Sequence, residues 1–365
     1  MIYVFARLPN LAIHGFKLQK SCGKLTLLSG ASAIISSSQV IPPKPIVISE
    51  TETKSWISQV IHYLKILIRS LQMTVMISPL LITAPIAIYI PSLQDPWLNF
   101  FVKIIQACGP VYIKLGQWAS TRRDLFDPKL CQYLSKLQRR ANVHSWYHSE
   151  KTLNQNGLDK IETFEKFDPN PIGSGCCAQV YKAKYKGQDV AVKILHPNIR
   201  GNFLRDLTVM RSMIRFFSWV FPNLQWLSLR ESLEEFADLM NIQVDLRNEA
   251  QNLLKFQENF KDDSTVKFPK PLLQLCSEEV LVESYESGVH IGTMVQNLDD
   301  MKIERRKELA GKGVTMFLKM VFRHNFVHCD LHPGNILVSD IDDRLIILDP
   351  GLTASLSKND MRNFR

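Results

Sequence analysis

The sequence predicts an α+β fold with two lobes, a small β-rich lobe and a helical large lobe, preceded by extra helices. Two observations support this class. Residues 172–195 alternate short apolar strands with glycine-containing turns. Residues 101–141 instead place apolar side chains at helical spacing. With 365 residues, 45% apolar and 22% charged, the chain has the composition of a globular protein of one large or two ordinary domains.

The amino terminus differs in charge from the rest of the chain. Residues 1–49 contain five basic residues, frequent serine and no acidic residue. This composition predicts a mitochondrial transit peptide, and a disordered tail is the alternative. Of the net charge of +9, these five leave only +4 for the remainder (9 − 5). We therefore expect no nucleic-acid partner, because such a partner requires a basic surplus in the folded part.

Residues 70–94 form an apolar segment without any charged residue. The 19 residues from Met73 to Pro91 would measure about 28 Å as a helix, close to the thickness of a bilayer core. Pro79 and Pro85 weaken its apolar character. We expect a transmembrane or membrane-associated segment, and the alternative is a helix buried against the domain that follows.

Residues 101–145 form the predicted helical extension. Asp127 and Pro128 are typical of a helix N-cap and first helical position. Within the extension lies the segment Lys114-Leu115-Gly116-Gln117. By itself this segment indicates only a solvated helix face, on which Lys114 and Gln117 lie close together.

A glycine-rich turn and a lysine come next. The segment from Gly173 to Val180 reads Gly173-Ser174-Gly175-Cys176-Cys177-Ala178-Gln179-Val180, the form G-x-G-x-x-A-x-V. Glycines allow the backbone to approach a phosphate closely. A strand then ends in Val190-Ala191-Val192-Lys193, similar to the V-A-I-K of protein kinases, in which the lysine contacts nucleotide phosphates. An edge-strand surface lysine is the alternative for Lys193.

The third motif reads His328-Cys329-Asp330-Leu331-His332-Pro333-Gly334-Asn335 and fits the kinase catalytic-loop pattern H-x-D-x-x-x-x-N. In that pattern Asp330 orients or deprotonates the attacking hydroxyl, and Asn335 holds Mg²⁺. An apolar strand then leads to Asp349, nineteen residues after Asp330, where kinases place a second metal ligand.

Two further interpretations concern the histidines of this motif and the cysteines of the chain. A zinc site at His328, Cys329 and His332 is conceivable but lacks a second ligand pair. The seven cysteines contain no C-x-x-C spacing, which favours reduced thiols over a disulfide framework.

A kinase-type lysine also requires an acidic partner on a helix, and Glu249 is the predicted one. It follows Lys193 by 56 residues, a distance that requires inserted helices between them. Another acid such as Glu234 remains an alternative partner.

From about residue 102 to residue 355, the sequence resembles the UbiB/aarF-domain atypical kinase-like family. The resemblance depends on three segments: the Lys114-to-Gln117 helix, residues 243–250, and the His328-to-Asn335 loop. It implies a protein-kinase-like fold with a small lobe at 165–285, which contains a helical insertion, and a partial large lobe at 286–365. It also implies binding of ATP and Mg²⁺. Membership in that family further implies a mitochondrial inner-membrane location, membrane-lipid contacts and coenzyme Q biosynthesis proteins as partners.

The resemblance assigns residue roles. Asp330, Lys193 and Glu249 become catalytic. The metal ligands become Asn335 and Asp349. The nucleotide-binding set comprises Gly173, Ser174, Gly175, Ala178, Val180, Lys193, Lys114 and Gln117. In the family, the helix that carries Lys114 and Gln117 covers the groove where a protein substrate would lie.

The sequence departs from the family pattern in four places. The phosphate loop contains Cys176 and Cys177 instead of an alanine-rich stretch, and Gln243 replaces the first acid of E-x-D. Pro350 replaces the aromatic residue of D-F-G, and the sequence ends at Arg365, before the usual large-lobe helices. A truncated large lobe is therefore expected.

Three functions follow from these observations. An ATP-dependent kinase or ATPase that does not phosphorylate ordinary protein substrates accounts for all the motifs. The alternatives are a catalytically weak scaffold and a small-molecule phosphotransferase that resembles aminoglycoside or choline kinases, which share the H-x-D-L-H-P-G-N loop.

Overall fold

Helices come first along the part of the chain that the computed structural model describes, which comprises residues 56–121, 123, 126–138, 143–220, 229–296 and 302–357. These helices are α1 (Trp56–Tyr89), α2 (Gln94–Cys108), α3 (Pro110–Thr121) and α4 (Pro128–Leu134), the last continued by a 3₁₀ turn at Ser135–Gln138. The predicted transit peptide at 1–49 lies outside the described residues.

The start of α4 shows how the sequence determines where a helix begins. Asp127 is its N-cap, and its side chain accepts hydrogen bonds from the backbone amides of Lys129 at 2.9 Å and Leu130 at 3.2 Å. Pro128 occupies the first helical position, where the missing N–H costs nothing. The predicted cap is confirmed.

The small lobe contains a five-stranded sheet preceded by two short helices, α5 (Trp146–Gln155) and α6 (Lys160–Thr163). Its strands are β1 (Lys166–Phe167), β2 (Gly173–Ser174), β3 (Ala178–Tyr185), β4 (Gln188–Leu195) and β6 (Val280–Ser284), in the order β1-β3-β4-β6 with β2 on β3. Lys186 and Gly187 join β3 to β4 with φ angles of 48° and 77°. Two positive φ angles define the tight turn that suits the twist of a hairpin.

Within the described residues, three helices lie between β4 and β6. They are α7 (Ile199–Val220), α8 (Leu229–Gln243) and α9 (Leu246–Asn259). The first two account for the long separation of Lys193 from Glu249, as the sequence predicts. Buried side chains of α7 and α8 pack against Val111 of α3, which attaches the amino-terminal helices to this insertion.

The described part of the large lobe combines two small sheets with two helices. Its four-stranded sheet has the order β5 (Val266–Lys267), β10 (Leu345–Ile347), β9 (Ile336–Ser339) and β7 (Gly288–His290), and β5 runs parallel to β10. A two-stranded sheet pairs β8 (Val327–His328) with β11 (Thr353–Ala354). The helices are α10 (Ile291–Gln296) and α11 (Ile303–Leu318), the latter followed by a π turn at Lys319–Arg323. One apolar core joins α9 to this lobe through Phe256, Met316 and Ile347.

Helix α1 packs by one face only. Met73 is fully buried between α2 and α7, and Leu80, Ala84 and Ala87 are buried farther along α1. Arg69 fixes the helix by pairing with Asp206 of α7 at 2.6 Å. Within the described residues, one helix, with residues 59–89 as its apolar stretch, is long and apolar enough to cross a membrane by length and composition. The membrane-associated segment predicted at 70–94 therefore stays a prediction, while one face of α1 packs on α2 and α7, as the alternative expects.

Candidate active site

Three charged side chains from different elements meet in the cleft between the two lobes. Lys193 on β4 places its ammonium 2.8 Å from both carboxylate oxygens of Glu249 on α9. The same ammonium lies 2.7 Å from Oδ1 of Asp349, which follows β10. Glu234, the alternative partner for Lys193, instead pairs with Arg211 of α7.

One ammonium between two carboxylates sets the charge of this cluster. Burial raises the pKa of Glu249 above its usual value, and Lys193 opposes that rise. Burial acts in the same direction on Asp349, but Lys193 and Lys114 outweigh it and lower the pKa of that carboxyl. Burial opposes the charged form of Lys193, yet Asp349 and Glu249 together raise its pKa. Lys193 therefore stays protonated between the two carboxyl groups.

The backbone around Asp349 adopts an uncommon conformation. Its φ angle of 54° lies in the left-handed region, which non-glycine residues rarely occupy and which often marks functional sites. Asn252 of α9 fixes the turn by donating from Nδ2 to the carbonyl oxygen of Pro350 at 2.8 Å. The sequence analysis did not identify Asn252. Its spacing of three residues from Glu249, on one face of α9, is the signal that could have found it.

The loop after β8 holds Asp330 through a buried histidine. The backbone amide of Asp330 donates to Nδ1 of His328 at 3.1 Å, and Nε2 of that ring donates to the carbonyl oxygen of Leu348 at 3.1 Å. Asn335 closes the loop by donating from Nδ2 to the carbonyl oxygen of Asp330 at 3.0 Å. These bonds place Asp330 and Asn335 side by side, next to the strand that leads to Asp349.

The same contacts bear on the zinc interpretation. His328 uses both ring nitrogens in bonds to the protein, so neither is available to a metal. Burial lowers the pKa of His328, which favours the neutral ring that these two bonds require. The structure thus gives His328 a role in shaping the loop rather than in metal binding.

Helix α3 reaches the site from the amino-terminal extension. The ammonium of Lys114 lies 3.6 Å from Oδ2 of Asp330. Burial opposes the charge of Lys114, but Cys176, Cys177 and the carboxylates of the cleft outweigh it and raise its pKa. Gln117 has a different environment, since its Nε2 donates to the carbonyl oxygen of Leu137 at 2.9 Å. Among the described contacts, Lys114 therefore meets the site and Gln117 attaches α3 to the turn after α4.

The glycine-rich segment forms the edge of the sheet above this cluster. Gly173 and Ser174 lie in β2, and the amide of Gly175 donates to the carbonyl oxygen of Ala178 at 2.9 Å. Val180 is directly opposite Lys193 in the pairing of β3 with β4. A side chain added at Gly173 would meet no atom within 4 Å, so the backbone here is open to a ligand.

The cleft thus brings together Lys193, Glu249 and Asp349, with Asp330 and Asn335 beside them. The family described as the ABC1 atypical kinase-like domain matches residues 136–365, more than half of the chain. The chain belongs to the ABC1 atypical kinase-like family. The predicted membership in the UbiB/aarF-domain group is confirmed, because its relatives bear both names.

Three relatives of this ABC1 chain come from three different organisms. A probable serine/threonine-protein kinase, abkC, of Dictyostelium discoideum is 40% identical over 78% of the chain. A Saccharomyces cerevisiae ABC1 family protein, named as mitochondrial, is 40% identical over 66%. A probable protein kinase UbiB of Vibrio cholerae is 33% identical over 71%. The matches cover 41%, 40% and 48% of these relatives, so the chain spans less than half of their length.

A solved structure shares the fold. The Rv3197–erythromycin complex of Mycobacterium tuberculosis aligns with a TM-score of 0.52 and 22% sequence identity, covering 73% of this chain and 66% of that one. At this identity the likeness shows the fold alone. Together with the family match, it confirms the predicted kinase-like α+β fold with added amino-terminal helices.

The ABC1 domain contains a histidine pair that the sequence analysis did not identify. Nδ1 of His144 lies 2.6 Å from Nδ1 of His196, and Nε2 of His196 is 2.8 Å from the carbonyl oxygen of Gly175. Burial, and then the charge of His196, lower the pKa of His144 to about 4. The neutral pair therefore connects the end of the amino-terminal extension to the glycine-rich turn. No sequence pattern joins residues so far apart.

The residues of the cleft fit a nucleotide with a divalent cation. The Asp349 side chain is 45% exposed, so its carboxylate can reach a cation while it contacts Lys193. Asn335 uses its Nδ2 within the loop, which leaves the amide oxygen as a ligand atom. No three His, Cys, Asp or Glu side chains in the described part of the chain are grouped to hold a metal. One carboxylate and one amide oxygen are ligand types that suit Mg²⁺, which proteins commonly bind through one or two carboxylates together with phosphate oxygens.

Proposed function

We propose that this ABC1 chain binds ATP with Mg²⁺ between its lobes and acts as an atypical kinase or ATPase. One observation carries the proposal: Lys193, Glu249 and Asp349 form one ion-paired cluster, although they are distant in the chain. The catalytic-loop residues Asp330 and Asn335 lie beside it.

Each residue has a role that follows from its chemistry. Asn335 and Asp349 supply oxygen ligands for the cation, which would neutralise charge on the phosphates. Glu249 positions Lys193, whose ammonium binds phosphate oxygens. Asp330 accepts the proton of the attacking hydroxyl or water. The backbone from Gly173 to Gly175 lies against the phosphates.

The substrate class follows from helix α3. Lys114 of α3 lies 3.6 Å from Asp330, and the family resemblance implies that this helix covers the groove where a protein substrate would lie. We infer that the phosphate acceptor is water or a small molecule rather than an exposed protein side chain. A soluble alcohol or amino sugar, as in the aminoglycoside-kinase type, falls within this class.

The test uses the whole chain. Mg²⁺-ATP should raise its thermal midpoint, and Asp349→Asn should remove most of that shift by deleting a metal-ligating carboxylate. Asp330→Asn should retain the shift but lower turnover about 100-fold or more, the contribution of a positioned base. Asp340→Asn, an exposed acid after β9, is the matched control and should behave as the original chain. Absence of any Mg²⁺-dependent shift would contradict the proposal.

A second candidate is a nucleotide-responsive scaffold with little turnover. Two observations favour it: Lys114 lies 3.6 Å from Asp330, and Pro350 occupies the position of the aromatic switch residue. Binding that depends on Asp349 without measurable turnover would select this function.

We further propose that the chain acts at a mitochondrial membrane, in support of coenzyme Q or lipid metabolism. Its amino-terminal composition and two yeast relatives named as mitochondrial support the compartment. Family resemblance supports the metabolic role. Helix α1 supports membrane contact, because Leu71, Val75 and Ile82 are 63–72% exposed on one face.

Flotation with phospholipid vesicles tests this location. The whole chain should float with the vesicles. Changing Leu71 and Ile82 together to glutamate should reduce the floating fraction several-fold, because charge opposes insertion of the apolar face. Val314→Glu changes an apolar residue of α11 that is 60% exposed and is the control. Equal flotation of all three proteins would contradict membrane contact through α1.

A further inference from the structure

Two adjacent cysteines lie in the glycine-rich turn, and the proposed mechanism gives them no role. Cys176 and Cys177 follow Gly175 and connect the paired strands β2 and β3. Both side chains are half-buried, and their sulfur atoms lie 3.9 Å apart. The cysteines in the described part of the chain are all free thiols. Two free thiols this close together can be joined by oxidation without any movement of distant parts of the chain.

The surroundings make the two sulfurs chemically different. The thiol of Cys177 donates a hydrogen bond that lowers the pKa of Cys176 to about 7, and Lys114 adds to this effect, while burial and the carboxylates of the cleft oppose it. The same hydrogen bond, together with burial, raises the pKa of Cys177. Oxidants react with a thiolate rather than with a thiol. The turn therefore contains one reactive sulfur beside a second thiol, which is the arrangement of a redox sensor and its resolving cysteine.

Cys276 shows the contrast with a half-buried cysteine elsewhere in the fold. Its sulfur donates to the carbonyl oxygen of Leu272 at 3.3 Å and lies 3.6 Å from that of Val282. Burial raises the pKa of Cys276 to about 11. Its sulfur therefore stays a thiol at neutral pH, so equal burial does not give equal reactivity.

We propose that Cys176 and Cys177 form a redox modification site, at which hydrogen peroxide joins the two sulfurs in a reversible disulfide. In the first step the Cys176 sulfur attacks one peroxide oxygen and the O–O bond breaks. The departing hydroxide takes the proton that Cys176 released and becomes water, and Cys176 becomes a sulfenic acid. In the second step the Cys177 sulfur attacks the Cys176 sulfur, the S–O bond breaks, and the hydroxyl leaves as water with the proton of Cys177. The two thiols are oxidised by two electrons, and the peroxide is reduced to two waters.

The covalent geometry predicts that a reductant reverses this bond easily. The Cα atoms of consecutive residues lie about 3.8 Å apart, whereas disulfides usually join Cα atoms about 4.4–6.8 Å apart. A disulfide between neighbours is therefore strained, and strained disulfides are the more reducible and regulatory ones. Such a bond suits a switch, because a dithiol reductant restores both thiols.

The disulfide would also change the shape of the glycine-rich turn. His196 holds both sides of the cysteine pair: its backbone amide donates to the carbonyl oxygen of Cys177 at 2.8 Å, and its Nε2 donates to that of Gly175 at 2.8 Å. The ring that the disulfide closes includes the peptide bond between the two cysteines, so closure turns this peptide and weakens its bond to His196. We therefore expect the oxidised chain to bind Mg²⁺-ATP more weakly. This consequence, unlike the modification itself, rests on the proposed function.

The first experiment treats the whole chain with hydrogen peroxide after removal of reductant, followed by alkylation and peptide mass spectrometry. The peptide that carries both cysteines should lose the mass of two hydrogen atoms, at least about tenfold faster than Cys276 is oxidised. Dithiothreitol should restore both thiols. Cys177→Ser should stop at a sulfenic acid on Cys176, which dimedone traps. Cys276→Ser is the matched control and should form the disulfide at the original rate. Oxidation of Cys176 no faster than Cys276, or a disulfide from Cys176 to another cysteine, would overturn the modification site.

The second experiment measures the thermal shift with Mg²⁺-ATP before and after peroxide treatment. Oxidation should remove most of the shift of the original chain, whereas Cys176→Ser, which cannot form the disulfide, should show the same shift before and after treatment. If the disulfide forms but the reduced chain shows no shift, the proposed function fails and the modification site stands. If the reduced and oxidised chains show equal shifts, the proposed function stands and the expected effect of the disulfide on the turn is wrong.

Discussion

Two lysines contact the acids of the cleft in different ways. Lys193 lies within 2.8 Å of Glu249 and Asp349, and the Glu249 side chain is only 5% exposed. Lys114 lies 3.6 Å from Asp330, whose side chain is 32% exposed. The first contact is a close, buried pair between a strand and a helix of the folded core. The second is a longer contact between the amino-terminal extension and the catalytic loop.

The two contacts differ in what their loss would change. Breaking a buried pair leaves an uncompensated charge, so it costs stability as well as function. A longer contact to a partly exposed acid stabilises less, because water can screen the carboxylate even though Lys114 itself is buried. We therefore expect Lys193 to hold the cleft in shape and Lys114 to control what reaches Asp330.

Lys193→Met should give the larger loss of stability. The change leaves two acids beside each other without their cation, and the free energy of unfolding should fall by about 3 kcal/mol. Urea denaturation at pH 8 measures the loss. Lys182→Met is the matched control, since Lys182 pairs with Asp189 on the neighbouring strands at 2.8 Å but is 41% exposed. The control should lose no more than about 1 kcal/mol.

The loss caused by Lys193→Met should also depend on pH. Burial already raises the pKa of Glu249 in the original chain, and removing the lysine deletes the charge that opposes the rise. A raised carboxyl pKa means that the folded state binds more protons than the unfolded state, so stability increases as the pH falls. The gap between original and variant should therefore narrow from pH 8 to pH 6. A constant gap would show that Glu249 does not take up a proton.

The residues that the sequence identified share a local origin. Lys193, Asp330 and Asn335 lie within short motifs whose spacing follows from one strand or one loop, so a few neighbouring residues define them. The two-lobed class followed from the same strands and turns, and it agrees with the family match and the solved relative.

The residues that the sequence did not identify depend on tertiary contacts. His144 contacts His196 across 52 residues, and Asn252 reaches Pro350 across 98. No short-range pattern in the sequence brings such distant residues together.

Lys114→Met should leave stability nearly unchanged and alter the site. The contact with Asp330 is long, and without Lys114 the partly exposed Asp330 carboxylate is not left buried and unpaired, so the free energy of unfolding should change by less than about 1 kcal/mol. Affinity for Mg²⁺-ATP should nevertheless fall by about tenfold or more, because a hydrogen bond from a cation to phosphate contributes about 1.5–3 kcal/mol. Calorimetry and urea denaturation of the same variant measure the two effects. Lys103→Met changes an exposed lysine of α2 and is the control for the loss of one positive charge. Unchanged affinity would show that Lys114 only covers the Asp330 carboxylate. A large loss of stability would show that Lys114, like Lys193, supports the folded state.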